Sequence, residues 1–206
     1  MELREGYKQT EVGLIPKDWK VKKLDSVCTK ITDGTHDTPK PVKKGIPFLT
    51  AIHVKENNID FKNCYYLPPQ VHQEIYKRCN PEKGDVLMVN IGAGTATTAV
   101  VNVDYQFSLK NVALLKPDKI KLNGIYLNAI QILCREEILQ SISTGGAQPF
   151  LSLNQISNLK IPLPPTSRTN RYRHSPLRHR PAYPSHRKKD CQKTPHQTRS
   201  LSLIHI

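Results

Sequence analysis

Pro165 divides the chain into two sequences that follow different rules, and that break decides how much of it can fold. Before it, apolar residues recur in short runs of strand length and in one longer helical stripe. After it no periodicity survives. Arg and Lys change from 3 against 18 in residues 1–165 to 7 against 3 in residues 166–206, and prolines stand at 176, 181, 184 and 195. A segment without recurring apolar positions has no face to bury and cannot offset the entropy of ordering it. A core is therefore expected only before Thr166, in a unit long enough to enclose one.

The same boundary governs how the net charge of +14 is used. Residues 1–165 hold 21 Lys and Arg against 16 Asp and Glu, whereas residues 166–206 hold 10 against 1. Most of the excess lies in the tail, so basicity by itself says little about the folded part. The first residues, Met-Glu-Leu-Arg-Glu-Gly, are charged rather than leader-like, and no apolar run approaches the ~18 residues of a membrane span. A cytoplasmic protein is expected. The five cysteines (28, 64, 79, 134 and 191) lie far apart and match neither a zinc site nor a disulfide framework. Cys79, beside Lys77 and Arg78, is either a somewhat activated thiol or an incidental one.

Taken in order, residues 1–12 are a polar N-terminal segment, of which 1–10 are expected to fray, and the folded unit is placed at 13–165. Pro16 suits a turn and Trp19, the sole tryptophan, an anchor on the core. Residues 31–44 form a loop by composition, with Asp33-Gly34 as its turn. Strands are expected over 45–54 and 59–67, then a short helix over 71–79 after Pro68-Pro69. Val86 to Val89 and Ala99 to Val103 read as a hairpin about Gly92 to Thr98, and residues 104–116 as a further strand interrupted by Lys110 and Asn111. Gly124 to Ile142 carries an apolar stripe at helical spacing. Ser141 to Pro165 then holds a helix end, a Gly145-Gly146 turn, apolar Phe150, Leu151 and Leu153, and a strand at 159–163. The expected class is α+β, rich in strands with a few helices, followed by a disordered basic tail.

This last stretch, with Gly13-Leu-Ile-Pro-Lys-Asp-Trp19, Thr32-Asp-Gly-Thr-His36, Gly45-Ile-Pro-Phe-Leu49 and Lys83-Gly-Asp-Val-Leu87, resembles the first target-recognition domain of the DNA-specificity subunit of type I restriction-modification systems. The resemblance covers roughly residues 9–166. It implies a non-catalytic chain that reads one half of a split double-stranded DNA target. Methyltransferase and restriction subunits would be its partners. No cofactor is expected here, because S-adenosylmethionine belongs to the methyltransferase subunits and ATP to the restriction subunit.

Loop chemistry proposes the contacts. Short hydroxyl, imidazole and amide groups can reach base edges, and lysines can neutralise phosphates. The candidates for direct readout are Thr35, His36 and Thr38 in the first loop and Ser143, Thr144 and Gln148 in the last, with Asn90 and Thr95 from the hairpin. Lys43, Lys44 and Lys110 are the phosphate candidates. Three other readings remain open. Asp33, His36 and Asp37 could hold a metal, though no second ligand cluster accompanies them. Gly92 to Thr98 could cradle a nucleotide in a small enzyme, but the third glycine of the fingerprint is absent and a strand follows. The basic tail could bind nucleic acid nonspecifically.

The tail also has a reading on paper. Residues 168–176 can be encoded so that dropping one base gives Glu-Gln-Thr-Ala-Ile-Ala-Thr-Ala. Continued with permitted codons, the shifted frame puts Ile or Leu opposite Tyr172, Pro176, His179, Tyr183, His186 and Asp190. Alternating steps of four and three make a heptad seam. That frame resembles the spacer helix that follows this domain in the family, and Leu201 to Ile206 resembles a translated sequencing adapter. Residues 166–206 are thus expected to be the frameshifted remnant of a spacer helix.

Overall fold

The computed structural model describes residues 5–142 and 148–165. Ser143, Thr144 and everything expected of residues 166–206 lie outside the described residues. Strand β1 (Tyr7–Thr10) pairs antiparallel with β2 (Gly13–Pro16), so residues 7–10, expected to fray, are one strand of a hairpin. Backbone hydrogen bonds need no apolar alternation, and Gly13 takes the positive φ of +95° on leaving the turn. Strand β3 (Lys20–Lys23) follows, then a 3-10 turn at Leu24–Ser26 and β4 (Cys28–Asp33). The expected loop at residue 31 therefore begins three residues later, because Ile31, Thr32 and Asp33 pair with Leu115, Leu114 and Ala113.

Beyond the loop come β5 (Ile46–Leu49), a 3-10 turn at Ala51–His53, β6 (Val54–Lys55), β7 (Asn58–Ile59) and β8 (Tyr65–Leu67). Helix α1 (Pro69–Arg78) starts on its second proline, whose missing N–H costs nothing at that position. Strands β9 (Val86–Val89) and β10 (Thr98–Val100) form the expected hairpin. The strand expected over 104–116 is two strands, β11 (Ser108–Leu109) and β12 (Val112–Pro117), in different sheets. Their junction is Lys110-Asn111, where Asn111 has a φ of +51°. The single helix expected after Gly124 is likewise two, α2 (Gly124–Leu133) and α3 (Arg135–Ile142), broken at Cys134.

The last described stretch contains α4 (Leu153–Asn158) and β13 (Lys160–Leu163), the latter antiparallel to β3. Helix α4 went unread although its start is written in the sequence. The Ser152 hydroxyl accepts from the Gln155 N–H, and the Gln155 side chain accepts from the Ser152 N–H, a reciprocal cap.

Strands β10, β9, β12 and β4 form one antiparallel sheet in that order, and β11, β5 and β8 a second. Successive side chains of a strand point to opposite faces. Accordingly Val86, Met88, Ala113 and Leu115 enter a core completed by Leu127 and Ile130 of α2, Ile138 of α3 and Ile156 of α4. Leu87, Val89, Val112 and Leu114 enter a second core with Leu49 of β5, Leu109 of β11 and Phe107. The central sheet is thus covered by helices on one face and by the smaller sheet on the other. That explains why β9 is buried along its whole length and reads as an unbroken apolar run. The protein is α+β, as expected. Trp19 meets Tyr126 of α2 edge-on, with ring centroids 6.4 Å apart, and anchors the entry hairpin to the helical side.

No helix among the described residues is long and apolar enough to cross a membrane.

Candidate nucleic-acid interface

The two sheets meet where β4, β5, β11 and β12 converge. The Gly34 N–H donates to Val112 O (3.1 Å) and the Thr35 N–H to Leu109 O (2.9 Å), while Lys110 N–H donates to Leu49 O (2.9 Å) and Asn111 N–H to Thr35 O (3.2 Å). Gly34 is required by contact rather than by φ. A Cβ there would lie 2.1 Å from Leu109 O. The loop that leaves β4 is therefore laced to the β11–β12 junction at its first two residues.

Side chains then fix its direction. Asp33 is buried, and its carboxylate accepts from Arg78 Nη2 (2.5 Å) on one oxygen and from His36 Nε2 (3.0 Å) on the other. His36 Nδ1 lies 2.9 Å from the Asn111 carboxamide, so the exposed imidazole sits between the loop and the junction. Thr35 Oγ1 accepts from the Asp37 N–H (3.1 Å), and Lys110 Nζ donates to Thr38 Oγ1. Charge-assisted bonds of this kind are the stronger class and preorganise what they hold.

A second arm comes from the β9–β10 turn. Ile91 forms an antiparallel bridge with Phe150, flanked by Gly92 N–H to Pro149 O (3.0 Å) and Leu151 N–H to Asn90 O (2.8 Å). Thr95 Oγ1 lies 2.7 Å from Gly92 O and 3.1 Å from Pro149 O, and its single O–H ties the turn to this bridge. A Cβ on Gly92 would approach Gln148 Nε2 to 3.3 Å, which places the exposed Gln148 against the turn. Between the arms lies a groove of about 520 Å³ whose lining includes Thr38, Ile52, Tyr65, Ile91, Lys110 and Asn111.

Of the residues chosen from sequence, Thr35, His36, Thr38 and Lys110 are brought together on this face, and Gln148 joins them through the Gly92 turn. Asn90 and Thr95 are corrected: they are 5% and 0% exposed and serve as scaffold beneath the turn. Lys43 and Lys44 are exposed but precede Ile46, at the end of β5 opposite Leu49. A strand of that length separates them from Lys110 by on the order of 13 Å. Asn111, Ile52, Tyr65, Ile91 and Phe150 were not singled out. The polar interruption at 110–111 was the available signal for the first. The exposed apolar residues had none, since an apolar letter in a strand-like run reads as core.

The competing chemistries lose their groups. Asp33 is engaged by Arg78 and His36 rather than open to a metal. In the Gly92 turn the N–H groups of Thr95, Ala96 and Thr97 donate to Gly92, Val89 and Gly94 carbonyls, so they are not free to cradle a phosphate. Burial pushes the Cys79 thiol up to about 12, outweighing the nearby Lys30 and Arg78 charges that favour the thiolate, so it is no activated nucleophile.

The profile of the type I restriction modification DNA specificity domain family matches residues 16–171. A putative type I restriction enzyme MjaX specificity subunit of Methanocaldococcus jannaschii is 28% identical over 167 residues, which is 78% of this chain and 39% of that protein. The chain thus spans about two fifths of the length of that relative. Two solved structures share the fold with a TM-score of 0.54. The type I restriction-modification S subunit from M. genitalium is 13% identical, with 73% of this chain and 36% of that one covered. The HsdS subunit from Thermoanaerobacter tengcongensis is 20% identical, with 82% and 39% covered. With the family profile matching well over half of its residues, and with this fold, the chain belongs to the type I restriction modification DNA specificity domain family.

Proposed function

We propose that residues 13–165 are a target-recognition unit that reads one half of a split duplex DNA site through the groove between the Thr35–Thr38 loop and the Ile91–Phe150 bridge. The observation that carries this reading is convergence. Residues from four separate parts of the chain (35–38, 91–92, 110–111 and 148–150) meet on one face, and hydrogen bonds hold the first three in place. Rigid donors and acceptors displayed in a groove are what base readout in a major groove requires. Lys110 and the more distant Lys43 and Lys44 supply salt-sensitive attraction to phosphates. In the assembled system this chain contributes the address, and adenine methylation or cleavage belongs to methyltransferase and restriction subunits. Because residues 166–206 carry no heptad pattern, docking of a methyltransferase subunit is proposed to be impaired, and co-purification of the two would refute that point.

The test is selection of duplexes from a randomised pool by the full 206-residue chain. The expected result is enrichment of one short motif, retained when the seven tail arginines are changed to glutamine. An unenriched pool, or binding that disappears with the tail charges, would instead leave only nonspecific attraction through the tail.

A further inference from the structure

The groove lining mixes hydrogen-bonding groups with exposed apolar ones. Along with Thr38, Lys110 and Asn111 it includes Ile52, Tyr65 and Ile91, with relative exposures of 62%, 44% and 38%. Phe150 is 52% exposed. It faces the same way as Ile91, because residues directly opposite in an antiparallel bridge project to one side. None of the four belongs to either core.

Nor are they loose. Ile52 crowns the 3-10 turn at 51–53, which His53 locks: its Nδ1 accepts from the Thr50 N–H (2.9 Å), which leaves Nε2–H to donate to Asn63 O (3.2 Å). The His53 ring also meets Tyr65 edge-on, with centroids 5.3 Å apart. One buried histidine therefore supports both Ile52 and Tyr65. Ile91 and Phe150 are held by their backbone bridge. Rigid apolar groups displayed beside hydrogen-bonding ones suit a ligand surface that is polar with isolated apolar points.

The edges of a major groove have that character, and the 5-methyl of thymine is their apolar point. We infer that Ile52, Ile91 and Phe150 are specificity-determining residues that contact thymine methyls in the target half-site. Thr38, Lys110 and Asn111 hydrogen-bond the neighbouring base edges. This rests on the reading that the face binds duplex DNA. It adds a demand which that reading does not make, namely that the methyl of a thymine in the bound half-site be felt.

The experiment uses the full chain and its selected half-site, with each thymidine replaced singly by deoxyuridine, which removes the methyl and leaves base pairing intact. Fluorescence anisotropy titration is expected to show about fourfold weaker binding at each contacted position, the ratio expected for one methyl-sized group removed from water. In Ile52→Ala, Ile91→Ala or Phe150→Ala the thymine and uracil duplexes should bind alike at the affected position. Equal affinity of the unaltered protein for all thymine and uracil duplexes would overturn the inference while leaving half-site recognition intact. If the alanine variants still lost affinity, these residues would act as a wedge between base steps instead. Should no duplex be selected at all, the recognition reading fails and the inference with it. The comparison on the unaltered protein depends on no variant folding.

Discussion

Lys116→Met offers the sharpest test of how the central sheet is held, at the end away from the groove. Lys116 Nζ lies 2.7 Å from Asp85 Oδ2, 3.3 Å from Glu82 Oε2 and 2.9 Å from Asn80 O, and the Asp85 side chain is only 2% exposed. Burial raises the Asp85 pKa above its ordinary 3.8, and the bond to Lys116 is the largest influence pulling it back. Methionine keeps most of the stem volume but leaves the carboxylate with the Glu82 N–H at 2.8 Å as its remaining observed donor. Removing one member of a buried pair costs about 3–5 kcal/mol, a large part of the ~5–15 kcal/mol that holds a domain folded. The sign with pH follows from which state holds the proton more tightly. With the folded pKa raised further in the variant, the folded state binds the proton better than the unfolded chain. Its stability is therefore highest below the unfolded value and is lost as pH rises through the folded one. Urea unfolding of the full chain at neutral pH should show the loss at unchanged m, and the gap to the native protein should narrow as the pH is lowered towards the ordinary carboxylate value of 3.8. Adding Asp85→Leu should restore most of the stability at neutral pH, since an apolar pair can replace a buried ionic one. A loss below about 1 kcal/mol, or one that neither acid nor the second substitution relieves, would refute the argument.

Gly34→Ala should destabilise the chain by about 1–3 kcal/mol or more, since its Cβ would meet backbone at Leu109, and should weaken DNA binding beyond what unfolding explains; thermal melts beside anisotropy titrations separate the two. Thr95→Val removes the hydroxyl that ties the Gly92 turn to Pro149 and should cost about 1–2 kcal/mol by urea unfolding, with Thr95→Ser close to the native protein. Lys110→Ala should both lower the slope of log affinity against log salt by about one and relax the selected motif. Combined Lys43→Ala and Lys44→Ala should lower the slope with the motif unchanged, and a relaxed motif there would contradict their placement away from the groove. Cys28 and Cys79, both pushed up to about 12 chiefly by burial, should resist alkylation in the folded protein and react on unfolding, as peptide mass mapping would detect.

Much of the architecture was legible because local patterns and tertiary contacts agreed. The β9–β10 hairpin, the helix after Gly124, the strand at 160–163 and the role of Trp19 followed from apolar spacing and turn residues. The failures have specific causes. Tyr7–Thr10 carries no alternation because a short hairpin is held by its backbone. The break at Cys134 leaves the apolar stripe almost undisturbed. Lys110-Asn111 was seen as an interruption, but a polar pair inside an apolar run does not reveal that the chain changes sheets there.

The candidate site divides in the same way. Thr35, His36, Thr38, Lys110 and Gln148 could be chosen from sequence because polar loop residues announce their chemistry. What sequence alone determined was which segments are built to be buried and where the chain turns, both properties of neighbours along the chain. Tertiary structure decided which loops share a face and which side chains remain outside the cores. Ile52 and Leu49 are both apolar residues from one short stretch, yet the former is 62% exposed and the latter 0%. A local 3-10 turn locked by Thr50 and His53 leaves Ile52 outside both cores, whereas Leu49 is covered by residues distant in sequence, Leu109 of β11 among them. Burial is set by the neighbours that long-range folding brings, and those neighbours are not written beside the residue.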